Sequence, residues 1–247
     1  MSDLIFLLPI AATFLLAGFV KGVLGLGLPT VAMGLLGLAM APAQAAALLV
    51  VPSLVTNLWQ LFAGPRFGGL LRRLWTMMAG ICLGTWAGAG LLTGALAGRA
   101  AIGLGAALVL YALVGLAGPR FTVPPRAERW LSPLIGAATG LVTGATGVFV
   151  IPAVPYLQAL GLEKEDLIQA LGLSFTVSTL ALAAGLAQGG AFPLATAGTS
   201  LLALAPALLG MAAGQWLRLR VRPELFRRWF FLGLLALGLD LALRPLL

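Results

Sequence analysis

The chain has 247 residues, of which 61% are hydrophobic and only 9% charged. About a quarter of a soluble domain is charged, so that class is excluded, and no stretch is left over for a soluble domain of useful size. The formal charge of +8 raises nucleic acid as a partner. However, the cations sit in short segments between apolar runs, where a positive-inside topology accounts for them. One cysteine, Cys82, and no histidine exclude a disulfide framework, cysteine-rich metal sites and an imidazole proton shuttle. No metal or cofactor is expected.

Apolar segments run roughly over 4–24, 28–40, 43–63, 74–97, 100–117, 131–147, 149–160, 166–188, 193–217 and 229–246. Runs of this length predict an all-α, polytopic transmembrane bundle in one domain, 1–247. A β-barrel needs ~10-residue alternating strands, and no period of two is visible. The N-terminus lacks a basic signal-peptide region, so the first run reads as a retained span.

The first two segments hold the stretch Gly18-Phe-Val-Lys21-Gly22-Val-Leu-Gly25-Leu-Gly27-Leu-Pro29. As one helix, 4–40 would be about 55 Å long, well over a ~30 Å core. The chain must break or fold back there, and the glycines permit it. The GxxxG spacing of Gly18 and Gly22 equally suits close helix packing. Lys21 is the one cation well inside a span. Such a lysine needs a partner or water: an anionic substrate, a structural pairing such as Asp240 in the last segment, or snorkelling to the interface.

The third segment carries Thr56, Asn57 and Gln60. Each is a candidate ligand or an interhelical hydrogen-bonding group; a carboxamide such as Asn57 is the costliest to leave unpaired in hydrocarbon. Eleven of the 15 basic residues then fall in loops 64–73 (Arg66, Arg72, Arg73), 118–130 (Arg120, Arg126, Arg129) and 218–228 (Arg218, Arg220, Arg222, Arg227, Arg228). These loops are expected in the cytoplasm. Trp59, Trp75, Trp130, Trp216 and Trp229 flank them as an interfacial belt, and Trp86 is expected to pack inside the bundle.

The sixth and seventh segments repeat the motif as Gly140-Leu-Val-Thr143-Gly144-Ala-Thr146-Gly147-Val-Phe-Val-Ile-Pro152. Gly18, Gly22 and Gly25 match Gly140, Gly144 and Gly147 at an offset of 122, and the prolines follow at 123. This predicts a duplication, with units of about 4–117 and 131–246. The basic loop 64–73 has an uncharged counterpart near 189–192. The loop near 98–100 has one arginine, against five in its counterpart 218–228. The charge bias swaps sides, as in inverted repeats with five segments each, a signature of secondary transporters. If each glycine-broken pair is one bent span, the count is eight and the parity argument fails.

Two interrupted helices would place free backbone amides and partial positive charge near the midplane. Pro29 and Pro152 suit the first helical turn. That is a site for a small anion. In the eighth segment, Ser174, Thr176, Ser178 and Thr179 join the candidates. Residues 163–166, Glu-Lys-Glu-Asp, read as a solvated loop and helix start. Asp240 is a possible coupling group, with a salt bridge or a place in the water interface as its alternatives.

The two glycine clusters, each opening half of an all-helical chain of this length, resemble the TauE/SafE family of sulfite exporters. The resemblance covers essentially the whole chain. It implies an inner-membrane permease for sulfite, sulfoacetate, related sulfonates or carboxylates; the sequence leaves monomer and homodimer both open. Phe149 and Val150 stand where the first cluster has Gly27 and Leu28, so the half-sites need not be equivalent. Moving one anionic charge outward gains about 2.3 kcal/mol per 100 mV, which favours export. The rivals are an anion channel and a proton-coupled uptake permease. No HExxH, nucleophile elbow or Walker motif is present, so an enzyme is not expected.

Overall fold

A computed structural model describes residues 2–93, 99–118, 122–191, 194–218, 220 and 223–244. Arg120, Arg222 and the inter-segment residues 94–98 and 192–193 lie outside the described residues. The regular structure among the described residues is all helical: α1 (Ser2–Leu24), α2 (Leu28–Gly37), α3 (Pro42–Phe62), α4 (Phe67–Gly88), α5 (Gly90–Thr93), α6 (Ala100–Ala117), α7 (Pro125–Thr146), α8 (Ala153–Ala159), α9 (Lys164–Gln188), α10 (Leu194–Arg218) and α11 (Pro223–Leu243). Among the described residues, six stretches are long and apolar enough to cross a membrane: 7–24, 42–62, 67–93, 100–117, 164–188 and 198–218. The protein is a polytopic helical membrane bundle.

Glycine decides which helices approach closely. A methyl group on Gly18 would lie 2.1 Å from the Ala207 carbonyl oxygen, and one on Gly22 2.3 Å from that of Met211. Gly210 and Gly214 of α10 meet α1 backbone in the same way, at Leu15 and Phe19. Rising numbers meet rising numbers, so α1 and α10 run parallel. The α4–α7 pair is built alike: Gly80 abuts Pro133, Gly84 abuts Ala137, Gly140 abuts Ile81 and Gly144 abuts Thr85. Without a hydrophobic driving force between helices in lipid, such backbone contact is what holds a pair together.

The other two principal pairs run antiparallel. Along α3 and the turn that follows it, Asn57 meets Thr179 of α9, Leu61 and Gly64 meet Gln169, and Arg66 meets Asp166. On α6 and α11, Gly105 abuts Gly238 and Ala242, while Gly115 abuts Phe231. α2 lies along α11, Gly34 against Leu237 and Gly37 against Leu241. Phe19 of α1 meets Phe226 near the start of the same helix.

These contacts gather several chain ends at one end of the bundle. Arg66 pairs with Asp166 at 3.1 Å and Arg73 with Glu128 at 2.6 Å there. The segments expected as basic loops meet there, but they are shorter than expected. Arg72 and Arg73 lie within α4, Arg126 and Arg129 within α7, and Arg227 and Arg228 within α11. The helices outrun their apolar stretches because arginine is a good helix former and its head reaches water there. Arg220 stacks on Trp216, 3.9 Å from the ring centre. Trp59, Trp75, Trp130, Trp216 and Trp229 are all exposed. Trp86 corrects the expectation of an inward ring: it is 71% exposed. It sits near the other end of α4, where an outward indole suits the opposite interface.

Proline breaks are repaired by neighbours. Pro52 inside α3 cannot donate to the Leu48 carbonyl. Ser200 of α10 donates to that carbonyl at 2.7 Å and accepts from the Val51 amide at 3.2 Å.

Candidate functional site

The first glycine cluster does two jobs. Gly18 and Gly22 stay helical and pack against α10, whereas Gly25 and Gly27 adopt φ of 77° and 107° and end α1. That left-handed backbone is open to glycine and costs other residues about 1–2 kcal/mol. α2 then restarts at Leu28, with Pro29 in its first turn as expected. The break leaves backbone groups to satisfy. Gln60 donates from Nε2 to the Gly25 carbonyl at 3.1 Å and, equally at 3.1 Å, to that of Ile168 on α9.

Lys21 lies one turn before the break and is only 4% exposed. Its ammonium donates to Thr56 Oγ1 at 3.1 Å and to Asn57 Oδ1. Asn57 in turn donates from Nδ2 to Thr179 Oγ1 at 3.2 Å. Thr56 and Thr179 each donate to the carbonyl four residues back, at 2.7 Å, which fixes their oxygens as acceptors for Lys21 and Asn57. A chain of four polar side chains thus crosses from α1 through α3 to α9. No carboxylate touches Lys21 among the described residues. Asp240 is half-exposed on α11 and pairs with Arg244 at 3.5 Å.

Other candidates fall elsewhere. Gly147 ends α7 with φ 73°, against Met33 and Ala46. Gly144 packs on Thr85 and Gly88 of α4. Thr143, Thr146 and Thr176 each donate to a carbonyl of their own helix at 2.7 Å, and Thr146 also accepts from the Val148 amide at 3.2 Å. Ser174 and Ser178 are buried with no hydrogen-bond partner among the described residues. Ser53 Oγ and Gln60 Oε1 share that condition. Buried polar atoms are normally paired, so these four mark a region around α3 and α9 with unused hydrogen-bonding capacity.

The second break departs from the first. Helix does not resume until Ala153, Pro152 caps it instead of entering its first turn, and α8 has only seven residues. The expected segment 149–160 is therefore mostly not helix at its start. Val148, Phe149 and Val150 are fully buried, and Phe149 packs on Phe175 at 5.4 Å. Valine and phenylalanine are weaker helix formers than alanine or leucine, in keeping with this non-helical path. A matched pair of half-helix starts is not what the fold presents; the polar chain on Lys21 is.

Nothing in the sequence singles out Gln169. It accepts from the Arg66 amide at 3.0 Å and donates to Leu61 and Gly64 at 2.7 and 2.6 Å, closing the end of α3. Its position in a polar helix start concealed it. Asp166, read as part of a solvated helix start, is buried against Arg66.

A multi-pass bundle with a glycine-broken helix and a buried, partnered lysine is the build of a membrane transporter. Residues 10–241 match the family model described as Sulfite exporter TauE/SafE. The chain belongs to the TauE/SafE sulfite exporter family, whose members are transporters, not enzymes. Comparison with curated proteins and with solved structures gave no match.

Proposed function

We propose that this protein exports small sulfur-containing or carboxylate anions, such as sulfite, sulfoacetate or related sulfonates, across the inner membrane by alternating access. The observation that carries this reading is Lys21, a buried ammonium held by two neutral oxygens, those of Thr56 and Asn57. A charge in a membrane span needs a counter-charge or water, and an anion would complete the set. Ser178, next to Thr179, and Ser174, one turn earlier, are unpaired hydroxyls available to such a ligand.

We further infer that 4–117 and 131–246 are inverted repeats. Exchanging the units turns α1–α10 contact into α7–α4 contact, and both pairs are parallel and glycine-lined. The same exchange maps α3–α9 and α6–α11 onto themselves, and an inverted axis makes self-mapped pairs antiparallel. The Lys21 chain then lies on the axis, near the midplane. With the basic end in the cytoplasm, a negative interior drives anions outward, about 50-fold for one charge at 100 mV. That leaves no coupling task for Asp240, in keeping with its ion pair to Arg244.

Proteoliposomes loaded with labelled sulfite or sulfoacetate test the reading under an imposed potential. Saturable efflux that follows the sign of the potential is expected. Efflux that ignores the potential counts against it, and a conductance without saturation indicates a channel.

A further inference from the structure

The geometry points to a second anion site, at the basic end of the bundle, that takes the phosphate of an anionic lipid headgroup. There the parallel helices α4 and α7 leave a groove of about 390 Å³ between them, lined by Arg73, Trp75, Thr76, Glu128, Arg129 and Ser132. Ligand sites commonly fall between about 300 and 1,000 Å³.

The charges in the groove are unequal. Both Glu128 oxygens are engaged by Arg73, Oε1 by Nε at 2.6 Å and Oε2 by Nη2 at 2.8 Å. This bidentate pair neutralises itself. Arg129 makes no ion pair among the described residues, so the lining keeps one net positive charge. The groove also lies in the first turns of α7 (Pro125–Thr146), where the helix dipole adds positive potential. Ser132 is already bonded to Tyr156 at 2.6 Å, so Thr76 is the hydroxyl left to assist Arg129.

The tryptophans argue for a lipid over a free anion. Trp75 lines the groove and Trp130 flanks it, both exposed. Exposed indoles at a helix end mark headgroup depth, and basic pockets between transmembrane helices suit acidic headgroups. The site stands apart from Lys21 and does not depend on what is transported.

Full-length protein would be reconstituted in phosphatidylcholine vesicles with or without phosphatidylglycerol, and its thermal midpoint measured. Phosphatidylglycerol is expected to raise the midpoint. Arg129→Gln should weaken that response by about fivefold in lipid dose, the worth of one surface arginine. Arg72→Gln, an exposed neighbour outside the groove, should leave it unchanged. Equal losses in both variants, or no loss in Arg129→Gln, would overturn the site. In detergent, stabilisation by inorganic phosphate alone would overturn the lipid assignment.

Discussion

Asn57 of α3 donates a hydrogen bond to Thr179 of α9 at 3.2 Å, across a sequence separation of 122. The same offset relates Gly18 to Gly140, Gly22 to Gly144 and Gly25 to Gly147. On the repeat reading each residue bonds to its own counterpart, so the bond marks where the two halves meet. Lys21 joins from one half only, because its counterpart is Thr143. The meeting point is therefore a polar centre with a single cation.

Asn57→Asp supplies Lys21 with a resident counter-ion. The fold should hold, since a charge pair replaces a charge–dipole contact and Thr179 can turn its hydroxyl from the Phe175 carbonyl to donate to the new carboxylate, while anion transport should fall at least tenfold. Flux in proteoliposomes beside a thermal melt checks this. Unchanged flux would show that the Lys21 ammonium needs no external anion. Asn57→Ala should instead lose stability by about 1–3 kcal/mol, because Lys21 and Thr179 both lose a partner.

Ser200→Ala removes the donor that satisfies the Leu48 carbonyl freed by Pro52. A cost of about 1–3 kcal/mol is expected for the orphaned buried group. Pro52→Ala restores an amide that can reach Leu48, so Ser200→Ala should be much milder in that background. A double-mutant cycle reads the coupling; strict additivity would dismiss the repair.

Gly18→Leu and Gly140→Leu should each prevent assembly, since even a first carbon would collide with backbone at 2.1 and 2.3 Å. Overpacking costs about 1–3 kcal/mol where side chains yield, and here the obstacle is backbone. Gly233→Leu, with open space around it, should be tolerated. Size-exclusion profiles of the purified variants separate the cases.

Gly25 also has open space, so Gly25→Ala tests conformation alone. Its φ of 77° should make alanine cost about 1–2 kcal/mol, and Gly25→Asn less, because asparagine enters that region more readily. A thermal melt ranking alanine above asparagine would argue against the break as drawn.

Much of this was legible in the sequence because lipid forces a simple grammar of long apolar helices, glycine at close contacts and cations at one end. Lys21, Thr56 and Asn57 stood out since polar groups in a span are few. What remained hidden depended on rotation about a helix axis or on distant pairing. Trp86 faces outward through its place on α4's helical face, and Ser200 finds the Leu48 carbonyl across 152 residues. The α8 break was misjudged because an apolar run such as Val148-Phe149-Val150 reads alike as buried helix or buried extended chain.

Lys21→Ala bears most directly on the anion site. Binding of sulfite or sulfoacetate to purified protein would be measured beside its thermal midpoint. Loss of at least tenfold in affinity, with the midpoint held or raised as a buried charge is removed, is the expected result. Undiminished affinity in a folded Lys21→Ala protein would contradict it.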